Sequence, residues 1–359
     1  MKHIPALDGL RAFAITLVLA VHGLRPQFPG AFIGVDVFFV LSGYLITASL
    51  LDEHDRTGRI NIWYFYVRRA LRLMPALWIM VPVVLLLAAQ LDPPDFFEND
   101  FGDAVGALSY TTNWIWMAEN GRRNLFDHTW SLAIEEQYYL IWAPLLCALL
   151  VRISARGALL LLIAAIAGVD LWRLGLFLHG ASYWRLYLGF DTRADELLAG
   201  AATAFLVSIA GARAWLRAWL NLVPGAAIAA VGALCVLARF NLDIEGQCIY
   251  GPLLSLLTVT IILDVTLRQE GMLAGALTLR PAVYLGSISY GVYLWHDPLL
   301  HFVENFSERW YFRIPVVFIV APIIAAISYR YLERPALALK HRFNEKRGLK
   351  KAGAAANWL

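Results

Sequence analysis

Charge is what this sequence has least of. Only 16% of its 359 residues are charged while 60% are hydrophobic, a balance that excludes a soluble globular protein of ordinary composition and points to a membrane protein. Cysteine is scarce as well. Cys147, Cys235 and Cys248 are odd in number and lack metal-like spacing, so no disulfide framework and no bound metal are expected, and Cys235 and Cys248 are not expected to pair. The opening MKHIPALDGL has no small-residue cleavage site after its first apolar stretch, which therefore reads as a retained helix rather than a removed signal. There is no internal repeat of the inverted kind found in many transporters. No soluble domain is expected at either end, no nucleic-acid partner is expected, and the net charge of +3 is small.

Apolar and aromatic residues are abundant. Thirteen tryptophans and fifteen tyrosines suit lipid–water boundaries and polar cavities between helices. About ten windows approach the roughly 20 apolar residues of a spanning helix, near 7–24, 33–51, 74–91, 134–151, 157–178, 192–210, 221–239, 249–267, 282–303 and 313–332. The predicted fold is all-α: a polytopic integral membrane domain over residues 1–335, then a basic tail, 336–359. With the N-terminus inside, 20 of the 30 Lys and Arg residues fall on the cytoplasmic side, so both termini are expected in the cytoplasm and the chain in the plasma (inner) membrane among its lipids.

Charged residues inside such spans are costly and mark function by default. In RAFAITLVLAVH, Arg11 and His22 are eleven positions apart, about three turns, so they share a face with roughly 16 Å between them along the axis. The plainer reading has Arg11 snorkelling to headgroups and His22 capping the outer end. GVDVFFVLSGYLIT carries Asp36 in an apolar run, where an unpaired carboxylate would be expensive. Arg11 or His22 is its expected partner. YVRRALRLMP concentrates Arg68, Arg69 and Arg72, with Arg69 and Arg72 on one helix face. That patch fits either positive-inside anchoring or a phosphate-bearing ligand, since the guanidinium fork can donate two parallel hydrogen bonds.

HTWSLAIEEQYYLIW offers Ser131 with Glu135 one turn later, a pattern that helps begin a helix. Adjacent Glu135 and Glu136 beside Trp130 and Tyr138 suggest in addition a polar cavity with aromatic walls, suited to sugar rings. DTRADE (191–196), SISYGVYLWHDP (287–298) and YLERP (331–335) each place charge or histidine near a span end, and pairing between spans suffices to explain Arg193, Asp195 and Glu333.

Taken in this order, the stretches from the Arg11–His22 spacing through GVDVFFVLSGYLIT, YVRRALRLMP, HTWSLAIEEQYY, DTRADELLAG, ISYGVYLWH and LERP resemble the landmarks of the acyltransferase 3 family of integral-membrane O-acyltransferases. The resemblance runs from about residue 4 to 335. It implies a ten-helix bundle that moves an acyl group, most often acetyl, from cytoplasmic acyl-CoA to a hydroxyl of a cell-envelope carbohydrate or glycolipid. It also implies essential Arg11 and His22, and a donor site at Arg69 and Arg72, beside Arg68. Two positions depart from the family pattern: Ala143 separates Trp142 from Pro144, and Asp297 stands where an aromatic residue often follows the histidine. Both bear on acceptor preference. Some relatives carry an appended esterase-like domain, for which this chain is expected to be too short, so any second transfer step would need a partner protein of envelope-polysaccharide synthesis.

In the mechanism this implies, His22 either removes the acceptor's proton or carries the acyl group. Arg11 holds a donor phosphate or orients Asp36, and Asp36 fixes the imidazole tautomer. Trp130, Ser131, Glu135, Glu136, Tyr138 and His296 attend the acceptor, with Glu136 or His296 as the alternative base. A proton-coupled transporter would also show buried Arg, His, Asp and Glu, but has no particular need of the arginine patch. A non-catalytic scaffold of a polysaccharide complex would tolerate loss of His22.

Overall fold

The structure, a computed structural model, describes residues 3–24, 27–91, 96–223, 225–240, 244–304 and 309–338. The expected cytoplasmic tail lies almost wholly outside them, as does the side chain of Cys248. Among the described residues all regular structure is helical. Its α-helices are α1 (Pro5–Gly23), α2 (Ile33–Thr57), α3 (Ile62–Leu91), α4 (Phe96–Ser109), α5 (Thr112–Ala118), α6 (Trp130–Arg152), α7 (Ala155–Leu178), α8 (Tyr183–Leu188) and α9 (Phe190–Ser208). They continue with α10 (Ala212–Leu222), α11 (Ala226–Leu237), α12 (Ile244–Leu267), α13 (Met272–Leu277), α14 (Arg280–Ser287), α15 (Ser289–Glu304), α16 (Trp310–Pro315) and α17 (Ala321–Ser328). A 3-10 turn at Asp127–Thr129 leads into α6, and π-helical turns at Val316–Val320 and Tyr329–Glu333 flank α17.

Local chemistry sets many of these limits. Pro5 opens α1, where its missing N–H costs nothing. Gly58 closes α2 in the left-handed region at φ 72°, donating its amide to His54 O at 2.7 Å. The hydroxyls of Ser154 and Ser182 accept the amides of Gly157 and Arg185 at the starts of α7 and α8.

Among the described residues seven helical segments are long and apolar enough to cross a membrane: Pro5–Gly23, Ile33–Thr57, Ile62–Gln90, Asp127–Arg152, Ala155–Leu178, Tyr250–Leu267 and Tyr311–Ala338. The pair Tyr183–Ser208 and Ala212–Leu222, bent by 107°, makes an eighth if taken as one span. The chain is a multi-pass membrane protein, and seven or eight of the ten expected spans are matched by helices of that length and apolarity among the described residues. The window at 221–239 holds only the twelve-residue α11, which begins after Gly225. The window at 282–303 is divided between α14 and α15, where Ser287 turns its hydroxyl back to Tyr284 O at 2.7 Å.

The chain divides into two compact units. One holds Asn61–Ala133 and the chain from Ile288 onward; the other holds Ile4–Ile60 and Ile134–Ser287. In the first, α3 packs on α4 and α15 through Leu77, Met80, Phe126, Leu294 and Trp295, and Tyr290 donates to Leu73 O at 2.8 Å. In the second, α2 lies against α9 so closely that a methyl group on Gly43 would meet Leu197 O and one on Gly200 would meet Val40 O. Small residues permit such backbone approach between membrane helices. Trp142 of α6 is pinned to α2 by a 2.9 Å bond from its indole N–H to Thr47 Oγ1.

Candidate active site

Arg11 and His22 lie on α1 in the second unit, both half-buried. His22 Nδ1 is 2.8 Å from Val18 O, one turn earlier. A carbonyl only accepts, so Nδ1 carries the ring proton and, in the neutral imidazole, Nε2 carries the basic lone pair. Val18 thus holds the tautomer through Nδ1, the task that sequence reasoning gave to Asp36.

Asp36 is buried on α2, and the partner expected in Arg11 or His22 proves to be Arg193 of α9: its guanidinium donates to Asp36 Oδ1 at 3.0 Å. The same arginine lies 3.2 Å from Glu196 and has Phe39 and Tyr187 rings 5.6 and 5.4 Å from its guanidinium carbon. Next to it on α9, Asp195 accepts from Arg173 of α7 at 3.0 Å, and Arg173 also reaches Asp170 at 2.6 Å. Arg193 and Asp195 therefore do pair between spans. Asp36 joins a buried ionic network that ties α2 to α9.

Ser42 of the same α2 motif donates to Glu135 Oε1 at 2.9 Å, and Tyr139 donates to Glu135 Oε2 at 3.3 Å. Two of the sequence landmarks, GVDVFFVLSGYLIT and HTWSLAIEEQYY, thus meet through Glu135. Glu136 is half-buried beside it. Tyr138 is buried and stacked on Trp142 with centroids 5.6 Å apart.

The remaining expected site residues, Arg68, Arg69, Arg72, Trp130, Ser131 and His296, belong to the first unit. Regular helix begins at Ile62, so the whole arginine patch rides on α3. Arg69 is buried, Arg68 and Arg72 are half-buried, and the Arg68 guanidinium sits 4.4 Å above the Tyr64 ring. Trp130 is buried at the start of α6.

Ser131 does not pair with Glu135 to begin the helix. Tyr293 donates its one hydroxyl proton to His128 O at 2.6 Å, so Ser131 donates to the Tyr293 oxygen, also at 2.6 Å. His296, fully buried, has Nδ1 2.6 Å from Tyr293 O, the same tautomer-setting contact that Val18 makes with His22. The residues missed from sequence are Arg193 as the partner of Asp36, and Tyr293 and His128 as the frame around Ser131 and His296. All lay in the quoted motifs, yet nothing in their spacing reveals contacts across 157 and 165 positions of chain.

Against known proteins, the acyltransferase domain family matches residues 4–332. A peptidoglycan O-acetyltransferase OatA of Listeria monocytogenes is 32% identical over 354 residues, covering 93% of this chain and 56% of that protein. An O-acetyltransferase OatA of Staphylococcus aureus is 33% identical over 351 residues, covering 93% of this chain and 57% of the relative. The chain therefore spans a little over half the length of these curated relatives. No solved structure matches it.

Proposed function

Since the chain belongs to the acyltransferase 3 family of integral-membrane O-acyltransferases, we propose that it transfers an acetyl group from cytoplasmic acetyl-CoA to a hydroxyl of a cell-envelope carbohydrate, in a plasma membrane that it enters with both termini in the cytoplasm. The observation that carries this reading is the imidazole of His22, held by Val18 O so that Nε2 is its basic nitrogen. In the proposed reaction Nε2 takes the acceptor's hydroxyl proton as that oxygen attacks the thioester carbonyl carbon. The new C–O bond replaces the C–S bond, and the proton passes from the imidazolium to the departing CoA thiolate. Imidazole suits both transfers because its ordinary pKa lies near neutrality.

The donor's phosphates fall to Arg69 and Arg72, one turn apart on α3, with Arg68 turned to Tyr64. Glu135 and Glu136 attend the acceptor. A carbohydrate of the peptidoglycan type is favoured because one relative carries that substrate in its name.

The donor assignment has a direct test. Arg72→Lys and Arg69→Lys keep the charge but lose the bidentate fork, so each is expected to weaken acetyl-CoA binding by about tenfold, the loss of a charge-assisted hydrogen bond. Calorimetric titration of the detergent-purified chain measures this. Unchanged donor affinity in both variants would leave positive-inside anchoring as the account of the patch.

A further inference from the structure

Asp127 and His128 sit side by side on the 3-10 turn before α6, and Asp297 and His301 lie one turn apart on α15, all in the first unit. The reaction above uses none of them. We propose that Asp127, His128 and Asp297 form a binding site for a zinc-type divalent cation, with His301 beside Asp297.

The spacing is the first argument. Asp127, His128 and Asp297 each bring one ligand atom to within 4.8 Å of the others. His128 Nδ1 and His301 Nδ1 lie 3.7 and 3.6 Å from the same atom, Asp297 Oδ2. Those separations exceed an N–H···O bond, which runs to about 3.2 Å. They approach the edge of a tetrahedron of ligands about 2.1 Å from zinc, which is roughly 3.4 Å.

The second argument is the tautomer of His128. Its Nε2 lies 3.2 Å from Leu294 O. The carbonyl accepts, so Nε2 carries the proton and the neutral ring has its lone pair on Nδ1, the nitrogen nearest Asp297. Two electron-pair donors then face one another, and a cation between them turns repulsion into co-ligation. A ligating histidine ordinarily gives its other N–H to a carbonyl or carboxylate in this way.

Charge and burial agree. Asp127, His128 and Asp297 are each at most 8% exposed, where two carboxylates need positive charge. A dication balances the two carboxylates of Asp127 and Asp297 to zero charge, and with the His128 imidazole this mixed nitrogen and oxygen set suits zinc.

Elemental analysis by plasma mass spectrometry tests the site, using the full chain purified in detergent without chelator, as isolated and after dialysis against zinc. One zinc per chain is expected. Replacing it with cobalt should give the visible bands of tetrahedral Co²⁺. Asp297→Asn and His128→Ala, each a lost ligand, should weaken metal affinity by about tenfold or more. A wild type that takes up no zinc and shows no cobalt bands overturns the proposal and leaves protons bridging the cluster. Equal metal in wild type and variants would mean an adventitious ion only. If the variants do not accumulate, the wild-type cobalt spectrum decides alone.

Discussion

His22→Ala is expected to lower acetyl transfer by roughly 10²–10⁴-fold, the ordinary contribution of a positioned general base, while the protein still inserts and folds. Removing an imidazole from α1 takes a polar group out of a span and adds none, and its Nδ1 bonds to a carbonyl of its own helix. His22→Gln sharpens the result. A glutamine amide can still donate to Val18 O but has no basic nitrogen, so this variant should be nearly as inactive as alanine. Assay of labelled acetyl transfer by well-expressed, monodisperse protein measures both. Substantial activity in His22→Gln would remove the base assignment and move the search to His296 or Glu136.

Arg193→Ala is expected to act on folding rather than chemistry. It leaves Asp36 and Glu196, 2% and 0% exposed, without the guanidinium that both face, and stranding a buried charge in this way costs about 3–5 kcal/mol. Low yield and a markedly lower unfolding temperature in detergent should follow, read by size-exclusion chromatography after heating. The reciprocal change Asp36→Asn should be milder because it removes a charge from α2 and leaves Glu196 opposite Arg193 at 3.2 Å. Combining Asp36→Asn with Arg193→Gln should restore part of the stability lost in Arg193→Ala. Normal thermal stability of Arg193→Ala would contradict the structural role given to the network and return Asp36 to the catalytic candidates.

Much of this organisation is legible in the sequence, and the limits of that reading are physical. Apolar length located all seven long helices, because the cost of exposing backbone polar groups to lipid leaves little choice of structure. At 221–239 and 282–303 no described helix reaches that length, since average hydropathy does not register that α11 starts only at Ala226 or that α14 and α15 part beside Ser287. Spacing within one helix was equally readable: Arg69 and Arg72 do lie one turn apart on α3. Partnerships between helices were not. A carboxylate at Asp36 demands a cation, but composition cannot choose between Arg11, eleven residues before His22 on the first helix, and Arg193, 157 positions away. The Ser131 and Glu135 spacing satisfied a helix-start pattern, yet tertiary partners took both side chains, Tyr293 for one and Ser42 for the other.

The central claim is that this chain moves an acetyl group from acetyl-CoA to a carbohydrate hydroxyl. The most direct measurement reconstitutes the purified protein in lipid vesicles with radiolabelled acetyl-CoA and carbohydrate extracted from the cell envelope. Transfer of label to the carbohydrate as a base-labile ester, in wild type and not in His22→Gln, is the predicted result. Vesicles in which wild type labels no carbohydrate while binding acetyl-CoA normally, or in which His22→Gln labels it equally, would contradict the account.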